Sequence, residues 1–552
     1  MRSGKSGRLV RWRGSARLLV TATVAVACVG FAAPGAQAAT SLKAASTGDT
    51  VRSLLAQWGD KTADSKAKNS SGKNDASLDP GSLASITTAI GARSAWALKD
   101  ARGKAITGAG VTVAVLDSGV DNSVTGLNAA GKVVYGPDLS MEVNAPALRN
   151  EDTYGHGTFM AGIIAAKDTV TTDASGQPQP RSDATQLGVA PDAKLLAVKL
   201  GATDGSTDVS QVIAALDWVV QHKNDNGMNI RVVNLSYGTD SVQAYQRDPL
   251  TAAAENAWKH GIVVVASGGN EGTTTGSLTD PATDPYVIAV GASTANNDKS
   301  AWANPTPATF SQVGTAARHV DLVAPGTSLV SLRSVGSYID VNHPEGLVAG
   351  DTTGRLFRGS GTSQAAAVVT GAAALLLQAF PALTPDEVKY ALMTGTTSMS
   401  GAVIARGSGE LYVPGALAVA GQITGVIAPA LNNTQRAALK QTWASAAGTG
   451  SLDAARGGNY LVDPVTGAQL SGEKDIQGQP WNGATWAKAS TAGTAWTGGT
   501  WNGARWSGNA WANGTWSNDS WSGARWSGAR WSDASWTGAR WSGARWSGAA
   551  WQ

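Results

Sequence analysis

Between residues 111 and 293, short apolar runs alternate with longer stretches of helical period. They read "VTVAVLD" (111–117), "KLLAVKL" (194–200), "VSQVIAALDWVVQHK" (209–223), "IRVVNLSYG" (230–238), "AAAENAWKHGIVVVASGG" (252–269) and "PYVIAVGAS" (285–293). A strand with one wet face alternates apolar and polar residues, whereas these strands are apolar almost throughout. Continuous apolar strands separated by amphipathic helices predict a parallel sheet covered on both faces. The expected fold class is therefore α/β, a doubly wound and mostly parallel sheet with helices on both faces. It runs from about 89 to 421, closing after "LTPDEVKYALMTG" and "ELYVPGALAVAG".

The rest of the 552 residues is of a different kind. Residues 1–38 have a basic stretch, an apolar run from about Leu18 to Ala33, and Ala36-Gln37-Ala38. That is the layout of a secretory signal peptide with an A-x-A cleavage site, and the apolar run is short for a membrane anchor. The mature chain is then expected to be secreted or held at the cell envelope, with no transmembrane segment. This leader holds six Lys and Arg and no acidic residue, so the whole-chain charge of +3 becomes −3 without it. Its removal takes away the overall positive charge that nucleic-acid binding would use. It also holds the sole cysteine, Cys28, which leaves no disulfide framework and no thiolate metal site. Residues 39–88 read as a polar linker or short propeptide-like segment, and 422–480 as a connecting segment of mixed composition. From 481 to 552 tryptophan recurs every five residues, with one slot missed at Thr491.

Three separated segments carry residues suited to nucleophilic chemistry. "VAVLDSGVD" places Asp117 at the C-terminal end of a buried strand, the edge where parallel sheets collect ligand-handling residues. The plain alternative is a carboxylate that starts a turn. "YGHGTFMAGIIAA" sets His156 between two glycines, ahead of a helix of small residues. The other four histidines, His222, His260, His319 and His343, lie in polar settings, so His156 is the candidate general base. "FRGSGTSQAAAVVTGAAALLLQAF" puts Ser363 at the start of an apolar helix. There it either caps the helix or, with an adjacent base and a third group to orient that base, attacks a carbonyl.

In order along the chain, "VAVLDSGVD", "GHGTFMAG", "LGVAPDAKLLAVKL", "VVNLSYG", "VVVASGGNEG", "VIAVGAS", "VDLVAPG" and "GTSQAAAVVTGAAAL" resemble the subtilisin-like serine proteases, the subtilases. The resemblance covers roughly 89–421 and implies a secreted serine endopeptidase acting on protein or peptide substrates. It implies Asp117 as the orienting carboxylate, His156 as the base, Ser363 as the nucleophile and Asn270 as the side-chain oxyanion donor. It further implies that the backbone of Ser236, Tyr237 and Gly238 and of Ser267, Gly268 and Gly269 walls the pocket for the residue before the scissile bond. The stretch around Asp204 to Thr207 resembles the edge that pairs with extended substrate. No cofactor is required. Family members often bind structural calcium, but no acidic cluster here forms a readable ligand loop, and no metal ligand is assigned.

The chain departs from the family pattern at Phe159, which replaces a second histidine, and at Gln364, Ala367 and Val368, which replace Met, Pro and His. These changes bear on efficiency more than on identity, since Asp117, His156, Ser363 and Asn270 all remain. Two stretches, 168–186 and 334–356, look inserted and read as surface loops, with a rim on the cleft as the other reading. A five-residue period fits neither a helix face nor a strand face. The tryptophan tail is thus expected to be either a stacked coil or an adhesive segment that contacts cell-wall polysaccharide. A rival reading makes the whole protein a cell-envelope-binding module on an inactive or weakly active protease-like scaffold.

Overall fold

The structure, a computed structural model, describes residues 79–505 and 525–527. Short interruptions fall at 144, 170, 173–177, 180–182, 184, 273–275, 296–301 and 463–467. The leader with Cys28, most of the expected linker, and the repeats from 506 onward, apart from 525–527, lie outside the described residues.

Seven strands run parallel in one sheet. They are Thr112–Asp117 (β1), Val133–Asp138 (β2), Lys194–Lys199 (β3), Ile230–Leu235 (β4), Val263–Ser267 (β5), Ile288–Thr294 (β6) and Leu322–Pro325 (β7). Their order across the sheet is β7-β6-β5-β4-β1-β3-β2, and short Thr306–Pro307 adds an antiparallel pair to β6. Every residue of β1 and of β5 is buried, as strands covered on both faces require. The first strand lies inside the sheet; β2 and β3 lie on one side of it, and β4 to β7 follow in order on the other. The direction of the strand order therefore changes beside β1, which is the switch point where such sheets collect ligand-handling residues.

The helices are set by their termini. Leu83–Ala89 (α1) starts at Ser82, whose side chain accepts from Ser85 N, and Ala92–Trp96 (α2) follows at once. His156–Ala165 (α3) begins after Gly155, whose φ of 105° suits glycine. Val209–His222 (α4) has a capping box between Asp208 and Gln211, and Pro249–Lys259 (α5) has Asp248 as its cap with Pro249 in its first turn. Short Tyr338–Asn342 (α6) belongs to the 334–356 stretch. Thr362–Ala379 (α7) is buried along its whole length, and its small residues let it pack on the sheet and on α3. It is long and apolar enough to cross a membrane, but here it is the core helix of the body. Pro385–Thr394 (α8) and Val413–Thr424 (α9) pack on each other, while α4 packs on α5.

Packing does not stop where composition changes. Leu83 and Ile86 of α1 lie in the core, and Val330 N donates to Gly81 O, so the linker boundary at 88 falls inside the packed body. Beyond 421, Leu452–Arg456 (α10) presents Arg456, almost fully buried, to Asp208 with contacts of 2.7 and 3.1 Å. Polar residues there make buried, paired contacts that composition alone does not reveal. The same holds past 480. Trp486 on Gly483–Thr491 (α11) and Trp501 both donate their indole N–H to Asp217 on α4, at 2.8 and 2.9 Å, and Ser490 Oγ adds a third bond at 2.5 Å. Burial pushes the Asp217 carboxyl up to about 6. Trp481 lies 5.2 Å from Trp486 and 6.0 Å from Trp501 between ring centres. The period of five is satisfied by breaking the local structure: a helix carries Trp486, and a small antiparallel sheet of Trp496–Thr497 (β8), Thr500–Trp501 (β9) and Ala504–Arg505 (β10) carries Trp496 and Trp501.

Candidate active site

Asp117 ends β1 and His156 opens α3, and both are fully buried. His156 Nδ1 lies 2.8 Å from Asp117 Oδ1, which also accepts from Ser118 N at 2.8 Å. The approach of α3 depends on the glycine after the histidine, because a Cβ at Gly157 would run into the backbone oxygen of Gly119. Two residues that the sequence reading passed over hold this junction. Asp152 accepts from Gly155 N, Thr158 N and Ser118 Oγ, each at 2.7 Å, so a buried carboxylate caps the helix that begins with His156. Ser118 Oγ accepts from Gly157 N at 3.0 Å and so ties that helix to the end of β1. Burial raises the Asp152 carboxyl above its ordinary value, and its three hydrogen bonds oppose the rise. The available signal was an Asp four residues before the histidine, at helix-cap distance.

Ser363 is the second residue of α7 and is fully buried. Its Oγ lies 3.5 Å from Ser236 O, and Ser236 Oγ lies 3.4 Å from Ser363 O, which brings the end of β4 against the start of α7. β1, α3 and α7, which carry the three candidate residues, pack on one another. The N–H groups of the first turn of α7 favour negative charge at that end.

Asn270 is oriented by the residue before Ser363. Its Oδ1 accepts from Thr362 N at 2.8 Å and Thr362 Oγ1 at 2.9 Å, and Thr362 Oγ1 in turn accepts from Gly269 N at 3.2 Å. A backbone N–H needs an acceptor, so the carbonyl end of Asn270 faces Thr362 and the NH2 end is the one that can donate to another group. Gly269 has a φ of 109°, and a Cβ there would strike the Gln312 side chain.

The two expected pocket walls are linked through one segment. Thr279 N donates to Gly268 O at 3.1 Å, and Thr239 and Asp280 exchange backbone bonds beside Gly238. A Cβ on Gly238 would press on Thr279. Ser236, Tyr237 and Ser267 are buried at the ends of β4 and β5.

Where the chain departs from the family pattern, the replacements are packed. Phe159 is in the core, and its carbonyl accepts from Ser331 Oγ at 2.8 Å. Ala367 and Val368 are fully buried in α7. Gln364 is different: it is fully buried, and neither atom of its amide has a hydrogen-bond partner among the described residues.

A buried carboxylate and imidazole are thus in contact at the end of β1, and a serine opens the helix that packs along α3, with an asparagine held beside it by Thr362. The chain belongs to the subtilase family, whose model matches residues 108–448. It is 36% identical over 300 residues to the serine protease AprX of Bacillus subtilis, covering 53% of this chain and 63% of AprX. It is 33% identical over 319 residues to subtilisin Savinase of Lederbergia lenta, covering 57% of this chain and 91% of that protein. Among solved structures, a cold adapted subtilisin-like serine proteinase is 28% identical, with a TM-score of 0.40 over 56% of this chain and 90% of the other. Fervidolysin from Fervidobacterium pennivorans is 27% identical, with a TM-score of 0.48 over 63% of this chain and 48% of the other. The match to AprX thus spans less than two thirds of that relative.

Proposed function

We propose that the protein is a secreted serine endopeptidase that hydrolyses peptide bonds through Asp117, His156 and Ser363. The observation that carries this reading is the buried 2.8 Å contact between Asp117 and His156, with Ser363 on a helix that packs along the one His156 opens. His156 takes the hydroxyl proton as Ser363 attacks a peptide carbonyl, and then returns it to the leaving amine. Asp117 holds Nδ1 protonated, so Nε2 is the nitrogen that accepts, and it stabilises the imidazolium that forms. The oxygen that becomes negative is met by the Ser363 N–H and the Asn270 amide, which Thr362 holds in place before any substrate arrives. The relatives AprX and subtilisin Savinase support the same reading.

We further propose that the repeat, 481–552, contacts cell-wall polysaccharide; Trp481, Trp486 and Trp501 are buried in the body and Trp496 is half-buried. The test of activity is labelling by a fluorophosphonate probe and cleavage of casein. Wild type labels and cleaves, and Ser363→Ala does neither. A wild type that neither labels nor cleaves leaves only the scaffold reading.

A further inference from the structure

The edge from Asp204 to Thr207, which the family resemblance assigns to extended substrate, has a buried ion pair beside each of its ends. Before it, Glu142 accepts from Thr203 N at 2.6 Å and pairs with Lys199 at 2.7 Å. After it, Asp208 caps α4 by accepting from Ser210 N at 3.0 Å, and both oxygens of its carboxylate meet the Arg456 guanidinium, at 2.7 and 3.1 Å. Glu142 and Lys199 lie inside the subtilase match, which ends at residue 448, whereas Arg456 lies beyond it.

Asp208 and the edge share their supports. Thr207 Oγ1 and the amide of Gln211, the partner of Asp208 in the capping box, both donate to Leu200 O, at 2.8 and 3.2 Å. The last residue of the edge and the first turn of α4 therefore hang on one carbonyl. Ser210 Oγ, in that same turn, accepts from Ile476 N at 2.9 Å, a second contact from beyond the match.

The segment that carries Arg456 is itself fixed to the body. Val242 N donates to Ala454 O at 3.1 Å, and the Gln243 amide exchanges two bonds with the Ser451 backbone, at 2.8 and 3.1 Å. A Cβ on Gly457 would strike Asp240 O. Arg456 is 1% exposed, and its other bonds, to Asp453 and to Lys474 O, stay within the C-terminal segment. One guanidinium thus bridges that segment to the residue next to the edge.

Resting on the endopeptidase reading, we infer that Arg456 is a positioning residue for extended substrate, acting through Asp208 on the 204–207 edge. A peptide that adds a strand to an edge gains affinity from main-chain hydrogen bonds, and it gains most where the edge is already ordered. Removing the cation leaves the Asp208 carboxylate buried and uncompensated, so the turn that follows the edge gives way. A peptide too short to reach the edge is indifferent to this change.

The experiment compares kcat/KM for two peptides with the same residue before the scissile bond, one carrying three further residues ahead of it and one carrying only an acetyl group. Wild type, Arg456→Met, Arg456→Lys and Arg436→Met are compared, with active sites titrated by a fluorophosphonate so that loss of folded protein cancels. Arg436 pairs with Glu387 and is 41% exposed, so it serves as the control. Wild type is expected to favour the long peptide by about tenfold or more, each main-chain bond contributing roughly fivefold. Arg456→Met lowers that preference by about fivefold or more through a higher KM for the long peptide. Arg456→Lys keeps the charge but not the two-pronged grip, and lowers the preference by about twofold or more; it decides the matter if Arg456→Met does not fold. Arg436→Met keeps the wild-type preference. A wild type indifferent to peptide length, or Arg456 variants that slow both peptides alike or neither, overturns the inference. A wild type with no titratable sites instead marks failure of the endopeptidase reading.

Discussion

Replacing Trp501 by Ala tests whether the start of the tryptophan repeat is part of the folded body. Trp501 is fully buried, donates to the enclosed Asp217 carboxylate at 2.9 Å, and packs against Trp481. Truncating a buried Trp to Ala costs about 3–5 kcal/mol from lost burial and the cavity left behind. The substitution also removes one of three donors to a buried carboxylate, which places the expected loss toward the upper end. Against a total stability of roughly 5–15 kcal/mol, this lowers the melting temperature by about 6–10 °C, taking about 2 °C per kcal/mol for a chain of this size. The assay is thermal and urea denaturation in a Ser363→Ala background, so that self-digestion does not distort the curve. Trp443→Ala is the control, since that side chain is 43% exposed. In a double-mutant cycle, Trp501→Ala and Asp217→Asn are expected to be non-additive because they share one hydrogen bond. A Trp501→Ala protein that melts with wild type, or a strictly additive cycle, refutes the reasoning.

Asp152→Asn weakens the cap that sets the start of α3, so kcat is expected to fall roughly ten- to a hundredfold with KM little changed; an unaltered kcat would show that His156 is held without it. Gln364→Met removes a buried amide with no partner and is expected to add about 1–3 kcal/mol, read as a higher urea midpoint. Glu410 accepts from Ser293 Oγ at 2.8 Å, and burial pushes its carboxyl up to about 8 from 4.5. Between those values the folded state keeps a proton that the unfolded chain has lost, so this group makes stability fall as pH rises from about 4.5 to 8, by up to about 1.4 kcal/mol per unit. Glu410→Gln is expected to flatten that slope, and equal slopes in the two proteins would contradict the assignment.

Much of the fold was legible because its signals are local. "VTVAVLD", "IRVVNLSYG" and "GIVVVASGG" are apolar almost throughout, and a strand covered on both faces buries such a run. Asp117, His156 and Ser363 were legible because each lies at an element boundary marked by glycine: Gly119 after the strand, Gly155 and Gly157 around the histidine, and Gly361 before the helix. Their partners were not. Asp152, Ser118, Thr362 and Glu142 belong to common residue types in loops or at caps, and their importance comes from what they face. Arg456 meets Asp208 across 248 positions, and Trp501 meets Asp217 across 284.

The tryptophan repeat marks the boundary between the two kinds of information. Its period excludes a single helix or strand face, and that much is a property of the chain alone. Whether those indoles face solvent or the core depends on a carboxylate placed by α4, which no window of sequence contains. The same division holds at 334–356, where composition reads as a surface loop and the structure stacks Tyr338 on Tyr154 beside the site. Apolar periodicity and glycine placement act through the backbone of neighbouring residues, so the sequence by itself determines elements and their ends. Burial of a polar partner is a sum over residues far apart in the chain, so only the tertiary structure decides which carboxylate, ring or amide completes the site.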